Sequence, residues 1–154
     1  MMVASPMFRK LLLRSLLVIL VAVVALDFLL TRYVAYHETR NAEKQLQAQA
    51  RILTDDVAGL PADGLASWTK QANQRSRTRI TLIAPGGRVL ADSEADARRM
   101  ENHAGRPEIR QALQGRPGSS VRHSATLDRD LLYLALPVTF QGRAGHVLRL
   151  AVPL

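Results

Sequence analysis

Apolar residues crowd the N-terminal part of the chain and then settle into two different rhythms. From Leu11 to Leu30 only Arg14, Ser15 and Asp27 interrupt the hydrophobic run, and Leu16–Leu26 is Leu, Val, Ile and Ala throughout. About 20 helical residues span the hydrocarbon of a bilayer, so this stretch predicts a transmembrane helix over residues 11–32. Arg9, Lys10 and Arg14 stand at its start, with no acid in the first 26 positions, which by the positive-inside rule assigns residues 1–10 to the cytoplasm. Arg14 and Asp27 lie near the two ends, where a charge reaches the headgroups, and an intramembrane relay is the alternative role for Asp27. A cleaved signal peptide with its site at Val23-Val24-Ala25 competes with the anchor. Against it, the apolar run continues through Phe28, Leu29 and Leu30 into Tyr33 and Val34 with no turn residue between.

From Tyr33 to Leu60 there is no Pro, the one Gly is Gly59, and Gln, Ala, Glu and Arg dominate, so a long helix over residues 33–60 is expected to continue the membrane helix. Leu46, Ala50, Leu53, Val57 and Leu60 recur at spacings of four, three, four and three. Such a heptad seam wants either a partner helix, which makes it a candidate dimer and signalling seam, or the face of a sheet. A helix running from Leu11 to Leu60 would be on the order of 75 Å long at 1.5 Å per residue. Coupling across a membrane and a plain stalk use the same residues.

Leu60-Pro61-Ala62-Asp63-Gly64 reads as a turn and Leu65–Arg77 as a second helix with Leu65, Trp68 and Ala72 on one face. The period then changes to two. Ile80, Leu82 and Ala84 alternate with Thr81 and Ile83, and Pro85-Gly86-Gly87 turns the chain into Arg88–Asp92, a hairpin. Residues 92–105 are polar and irregular or partly helical. Pro107–Gln114 is punctuated as a helix, with Pro107 first, Glu108 in the opening turn, Gly115 past the end and Pro117 beyond. Strands are expected over Ser120–Ala125, Leu131–Phe140 and Gly145–Val152, separated by turns at Asp128-Arg129-Asp130 and Gln141-Gly142-Arg143. The predicted order α, α, β, β, α, β, β, β, with short hairpin loops, points to an α+β domain over residues 61–154: an antiparallel sheet of about five strands with helices on one side.

The 154 residues, 47% of them hydrophobic and 22% charged, suffice for one modest core and exclude wholesale disorder. The absence of cysteine removes disulfides, thiolate metal sites and cysteine nucleophiles. A net charge of +8 could address nucleic acid or anionic lipid. Taking Arg9, Lys10, Arg14 and Asp27 from the 21 basic and 13 acidic residues leaves +6 outside the anchor. Those charges are interspersed and lack aromatic interleaving, which argues against nucleic acid and for anionic headgroups.

The hairpin segment Ile80-Thr81-Leu82-Ile83-Ala84-Pro85-Gly86-Gly87-Arg88-Val89-Leu90-Ala91-Asp92-Ser93 is followed by Met100-Glu101-Asn102-His103, Arg106-Pro107-Glu108-Ile109, Arg122–Ser124 and Leu132-Tyr133-Leu134-Ala135-Leu136-Pro137-Val138. In this order and spacing, the chain resembles the N-terminal sensory region of a phosphate-regulon-type two-component sensor histidine kinase: a transmembrane helix, a long signalling helix and a PAS-like extracytoplasmic domain of the single-Cache kind. The resemblance runs from Leu11 to Leu154. Such kinases continue into a second membrane helix, a linker, a dimerisation helix with the phosphorylated His and an ATP-binding domain. None of these is in this sequence, so the resemblance implies protein-histidine kinase activity, with ATP and Mg, only for a longer parent of which this chain is a fragment or truncated product.

Within the chain itself no catalytic residue, cofactor or metal ligand is expected. His37-Glu38-Thr39-Arg40 echoes a phospho-acceptor box but lacks its Pro and falls on the expected outer side. Gly115-Arg116-Pro117-Gly118-Ser119-Ser120 has no Lys and reads as a turn, not a phosphate loop. His37, His103, His123 and His146 show no ligand spacing. His123, Ser124 and Asp128 lack the elbow that frames a nucleophilic Ser. Arg106 immediately precedes a helix start and suits an anion, although Glu108 already complements the helix dipole and Arg106 can pair with Glu101 or Glu108. On strands that the resemblance places beside a PAS-like cavity, Arg122 and Tyr133 are the next ligand-binding candidates.

The expected function is a membrane-anchored sensory module in the bacterial inner membrane, N-terminus cytoplasmic and sensor domain extracytoplasmic, passing an envelope or small-ligand signal to a cytoplasmic kinase. Its expected partners are membrane lipid, a second copy of the chain, a cognate response regulator through the missing part, and a small anionic ligand or an envelope protein. A stand-alone anchored binding or scaffold protein, or the sensory part of a chemoreceptor, would share the layout.

Overall fold

The computed structural model describes residues 6–124 and 129–154. Three α-helices and five strands follow the order α1 (Pro6–Ala58), α2 (Leu65–Ser76), β1 (Arg79–Ile83), β2 (Val89–Asp92), α3 (Pro107–Leu113), β3 (Gly118–Ser124), β4 (Arg129–Phe140) and β5 (Arg143–Pro153), with 3-10 turns at Ala62–Gly64 and Ala97–Arg99. Ala125 and Asp128 lie outside the described residues, whereas Arg129 and Asp130, expected in the turn, already belong to β4 and pair with β3. The chain divides into two compact units, Met1–Glu38 and Thr39–Leu154, and the boundary falls inside α1.

In the first unit α1 is apolar on every side. Its Leu17, Val21 and Leu29 are all more than half exposed, the pattern of a helix whose solvent is not water. Met7–Tyr33 is long and apolar enough to cross a membrane. The guanidinium of Arg32 lies 5.7 Å from the Phe28 ring one turn away, and Ser15 Oγ donates to the Leu11 carbonyl at 3.1 Å.

In the second unit the strands form one antiparallel sheet in the order β2-β1-β5-β4-β3. The C-terminal part of α1 and α2 cover one face, where Leu46, Ala50, Val57, Leu65 and Ala72 meet Ile80, Leu82, Leu132, Leu134, Leu148 and Leu150. Pro61 cannot continue α1, and the chain leaves it at Gly59 and Leu60. The helices are not confined to that face, contrary to the one-sided sheet expected. Ile109 and Ala112 of α3 pack on the opposite face against Ile83, Ala135 and Val147. The physical reason is β4 itself: Leu131-Leu132-Tyr133-Leu134-Ala135-Leu136 is apolar at consecutive positions, and a strand with two apolar faces needs cover on both.

The α1 seam is likewise resolved in favour of the sheet. Leu46 is 2% exposed, Ala50 and Val57 are fully buried, and Leu53 and Leu60 pack beside them, so these five residues fill the core of their own chain. The stripe that could take either a partner helix or a sheet face is thus packed on the sheet of its own chain, with Leu53 and Leu60 only partly covered.

Two turns carry the hairpins. Gln141 and Gly142 join β4 to β5 with φ of 50° and 71°, the two positive values of a tight I′ connection. Gly87, at φ 84°, closes β1–β2, and a Cβ there would collide with Asn102 and Ala104. The loop 100–105 lies that close because His103 N–H donates to the Gly87 carbonyl at 2.8 Å and Asn102 Nδ2 to the Gly86 carbonyl at 2.8 Å.

Candidate functional site

Polar residues gather on the α3-covered face of the sheet, and the two-residue period of the strands selects them. Register sets Thr81 opposite Arg149, Arg149 opposite Ala135, and Tyr133 opposite Ser120, while Arg122 stands opposite Leu131. Each alternates with a core residue on the other face, as Arg149 does with Leu148 and Leu150.

Glu108, in the first turn of α3, is the centre of this group and is fully buried. Ser120 Oγ donates to its Oε2 at 2.7 Å, Arg122 Nη2 donates to its Oε1 at 2.9 Å, and Arg149 Nη1 lies 4.0 Å from the same Oε1. The Tyr133 ring receives both guanidinium groups, with Arg122 Cζ 4.1 Å and Arg149 Cζ 5.3 Å from its centroid. The backbone of β3 approaches α3 so closely at Gly118 that a Cβ would meet the Glu108 carbonyl oxygen and the Gln111 side chain.

A polar chain extends from there to the far sheet edge. Arg149 Nη2 donates to Thr81 Oγ1 at 3.0 Å, and Thr81 Oγ1 donates to Asp92 Oδ2 at 2.7 Å. Arg79 pairs with Asp92 at 3.2 Å, and the Glu94 and Ala95 amides donate to Asp92 Oδ1 at 2.9 Å. Burial alone would raise the Asp92 carboxyl pKa; the Thr81 and Glu94 hydrogen bonds and Arg79 outweigh burial and hold it below the usual value.

The cationic end is not similarly satisfied. Arg149 is 2% exposed, yet its Nε and Nη1 make no hydrogen bond, and the same is true of Arg122 Nε; His103, also 2% exposed, lies in the same buried cluster. Burial and then the nearby Arg106 push the Arg149 pKa down to about 10. Burial, followed by Arg149 and Arg106, pushes His103 down to about 4, so its imidazole is neutral at neutral pH. Arg106, half-buried at the start of α3, is lowered by burial and by Arg122. Two guanidinium groups thus face the one carboxylate of Glu108, and Arg106 stands near enough to act on both. Buried donors without acceptors are costly, and a donor-rich pocket of this kind suits a small anion.

Of the ligand candidates read from the sequence, the structure brings Arg106, Arg122 and Tyr133 to this one place. The sequence reading missed Arg149, Ser120 and the central position of Glu108. A signal for Arg149 was present: it is the lone charge within Val147-Leu148-Arg149-Leu150-Ala151. His123 lies elsewhere, exposed and 3.1 Å from Asp130, and Asp128 and the His37 side chain are outside the described residues.

No family model matches the chain, and no curated protein matches it. Solved structures do. The ligand-binding domain of the Campylobacter jejuni chemoreceptor Tlp3 in complex with 4-methylisoleucine is similar with a TM-score of 0.61 at 17% identity, over 74% of this chain and 52% of that one. The E. coli DcuS sensor domain matches with a TM-score of 0.57 at 15% identity, over 75% of this chain and 91% of that domain. The V. cholerae histidine kinase DctB sensor domain matches with a TM-score of 0.51 at 16% identity, over 73% and 55%. The chain spans about half the length of the Tlp3 domain. The strand order, the two-sided helical cover and these likenesses make the fold that of the Cache/PAS-like sensory domains of chemoreceptors and histidine kinases.

Proposed function

We propose that this chain is the membrane-anchored sensory module of a two-component sensor histidine kinase, and that the α3-covered face of its sheet receives a small anion. The single observation that carries the ligand reading is the buried Arg149 guanidinium with two unmet donor nitrogens beside Arg122 and His103. Residues 7–33 anchor the module in the bacterial inner membrane, and Arg9, Lys10 and Arg14 support a cytoplasmic N-terminus with the sensor unit outside. The order of motifs from Ile80 to Val138 supports the phosphate-regulon type within that class. The kinase core, its ATP and Mg, and the cognate response regulator belong to the longer parent protein. Two copies act together, and their contacts use the α1 surface left open around Ile52, which is 69% exposed. A signal transmitted this way shifts a balance between two arrangements by the ligand's differential affinity for them, commonly ~1–3 kcal/mol.

A chemoreceptor parent is the second reading, favoured by the Tlp3 likeness. The ligand reading is tested on the full chain in detergent micelles by thermal unfolding with acetate, inorganic phosphate and L-valine as probes. An anion that raises the unfolding temperature of the wild type but not of Arg149→Met supports the site. Equal stabilisation of both proteins, or of neither, refutes it.

A further inference from the structure

Glu108 occupies the position a bound anion would take. Its carboxylate is fully buried and accepts from Ser120 on one oxygen and from Arg122 on the other, while Arg149 Nη1 stands 4.0 Å away, short of a hydrogen bond. We infer that Glu108 is an internal ligand: its side chain holds the anion seat closed, and an external anion binds by displacing it from Ser120 and Arg122. This rests on the anion-site reading above and concerns how that site is gated.

Three features carry the inference. The two donors best placed to grip a carboxylate, Ser120 Oγ and Arg122 Nη2, are both taken by Glu108. Tyr133, Arg149 and His103 are buried, so an external anion meets the partly exposed Arg122 first and reaches Arg149 only when the first turn of α3 gives way. The excess of unmet donors, Arg149 Nε and Nη1 and Arg122 Nε, leaves the closed state incompletely satisfied. A closed state of that kind yields to a competitor that satisfies more of the cluster. Glu108 sits one residue from Pro107 and its backbone is pressed on Gly118, so its release loosens α3 from the start of β3. Ligand arrival is thereby converted into movement of a helix. A carboxylate that merely positioned Arg122 for a ligand would behave in the opposite way, since its removal would weaken binding.

The two roles separate in a titration of the full chain in detergent micelles with acetate, the closest free copy of the Glu108 carboxylate, and with inorganic phosphate. Glu108→Gln keeps the shape but removes the competing charge, and Glu108→Ala removes the internal ligand altogether while leaving Ser120 and Arg122 in place; folding of each is checked by circular dichroism. The expected result is tighter anion binding than wild type, by about tenfold or more for Glu108→Gln and in the same direction for Glu108→Ala, the scale of losing a charged hydrogen bond from the closed state while Ser120 and Arg122 stay available to the anion. Binding that is unchanged or weaker in the folded variants overturns the gate while leaving the anion site standing. Should Glu108→Gln not fold, Glu108→Ala alone decides in the same sense. Absence of binding in wild type and variants alike, up to tens of millimolar probe, overturns the anion site and the gate together.

Discussion

His103 offers a quantitative test of the buried cluster. It is 2% exposed, and burial together with Arg149 and Arg106 pushes its pKa from 6.5 to about 4, against smaller opposing pulls from the Glu101 backbone and from Glu108. Above pH 6.5 the imidazole is neutral in both the folded and the unfolded chain and contributes no pH dependence. Between 6.5 and about 4 the unfolded chain takes up a proton that the folded chain refuses, so stability falls as pH falls. Below 4 the loss levels off. A shift from 6.5 to about 4, at ~1.4 kcal/mol per unit, makes the loss roughly 3 kcal/mol by pH 4. For a unit the size of Thr39–Leu154 that is on the order of a 10 °C fall in unfolding temperature. The assay is denaturant unfolding of wild type and His103→Leu at pH 7, 6, 5 and 4. The Asp92 carboxyl, held below its usual value, also loses stability in acid but in both proteins, so the difference between them isolates the imidazole. His103→Leu is expected to gain roughly 3 kcal/mol on wild type over this range. Two stability curves running parallel from pH 7 to 4 would show that the ring is solvated and would refute the desolvated placement.

Three further outcomes follow from the packing and the charge pattern. Gly118→Ala drives a methyl group into the Glu108 carbonyl and Gln111 and is expected to cost ~2 kcal/mol in chemical unfolding, whereas Gly105→Ala, with nothing within 4 Å, is expected to be near neutral. Val57→Lys places an ammonium in the core and is expected to abolish the cooperative unfolding transition; a folded variant that only loses self-association would restore the dimer seam. Alkaline phosphatase fused after Leu60 is expected to be active in bacterial cells, and an inactive, stably expressed fusion would reverse the orientation read from Arg9, Lys10 and Arg14.

Local features were legible from the residues, and long-range ones were not. Pro85-Gly86-Gly87 marks its turn because glycine's conformational freedom is written in the sequence, and Pro107 and Gly115 frame α3 closely. The five strands appear at the expected places, shifted by two residues or fewer at the ends of the described elements. The heptad seam of α1 states only that an apolar stripe needs a partner; that the partner is the sheet depends on residues far apart in the chain sharing one core, as Leu46 and Leu134 do. The sidedness of the helices was encoded in the unbroken apolar run of β4, where no alternation exists to leave one face wet. Glu108 illustrates the remaining gap. From sequence it is an acid that suits a helix start, and only the β3–β4 register and the close passage at Gly118 bring Ser120 and Arg122 onto its carboxylate.

The strand order has a consequence for biogenesis. β1–β2 and β3–β4 touch each other nowhere in the ladder, and β5, the last strand of the sheet in chain order, is the slat that joins them. Until residues 143–153 emerge, the nascent domain holds two half-sheets with open inner edges, each able to zip onto the wrong neighbour. A stop codon before β5 would therefore remove the keystone and leave two sticky halves tethered to a membrane helix, a product for proteases to clear.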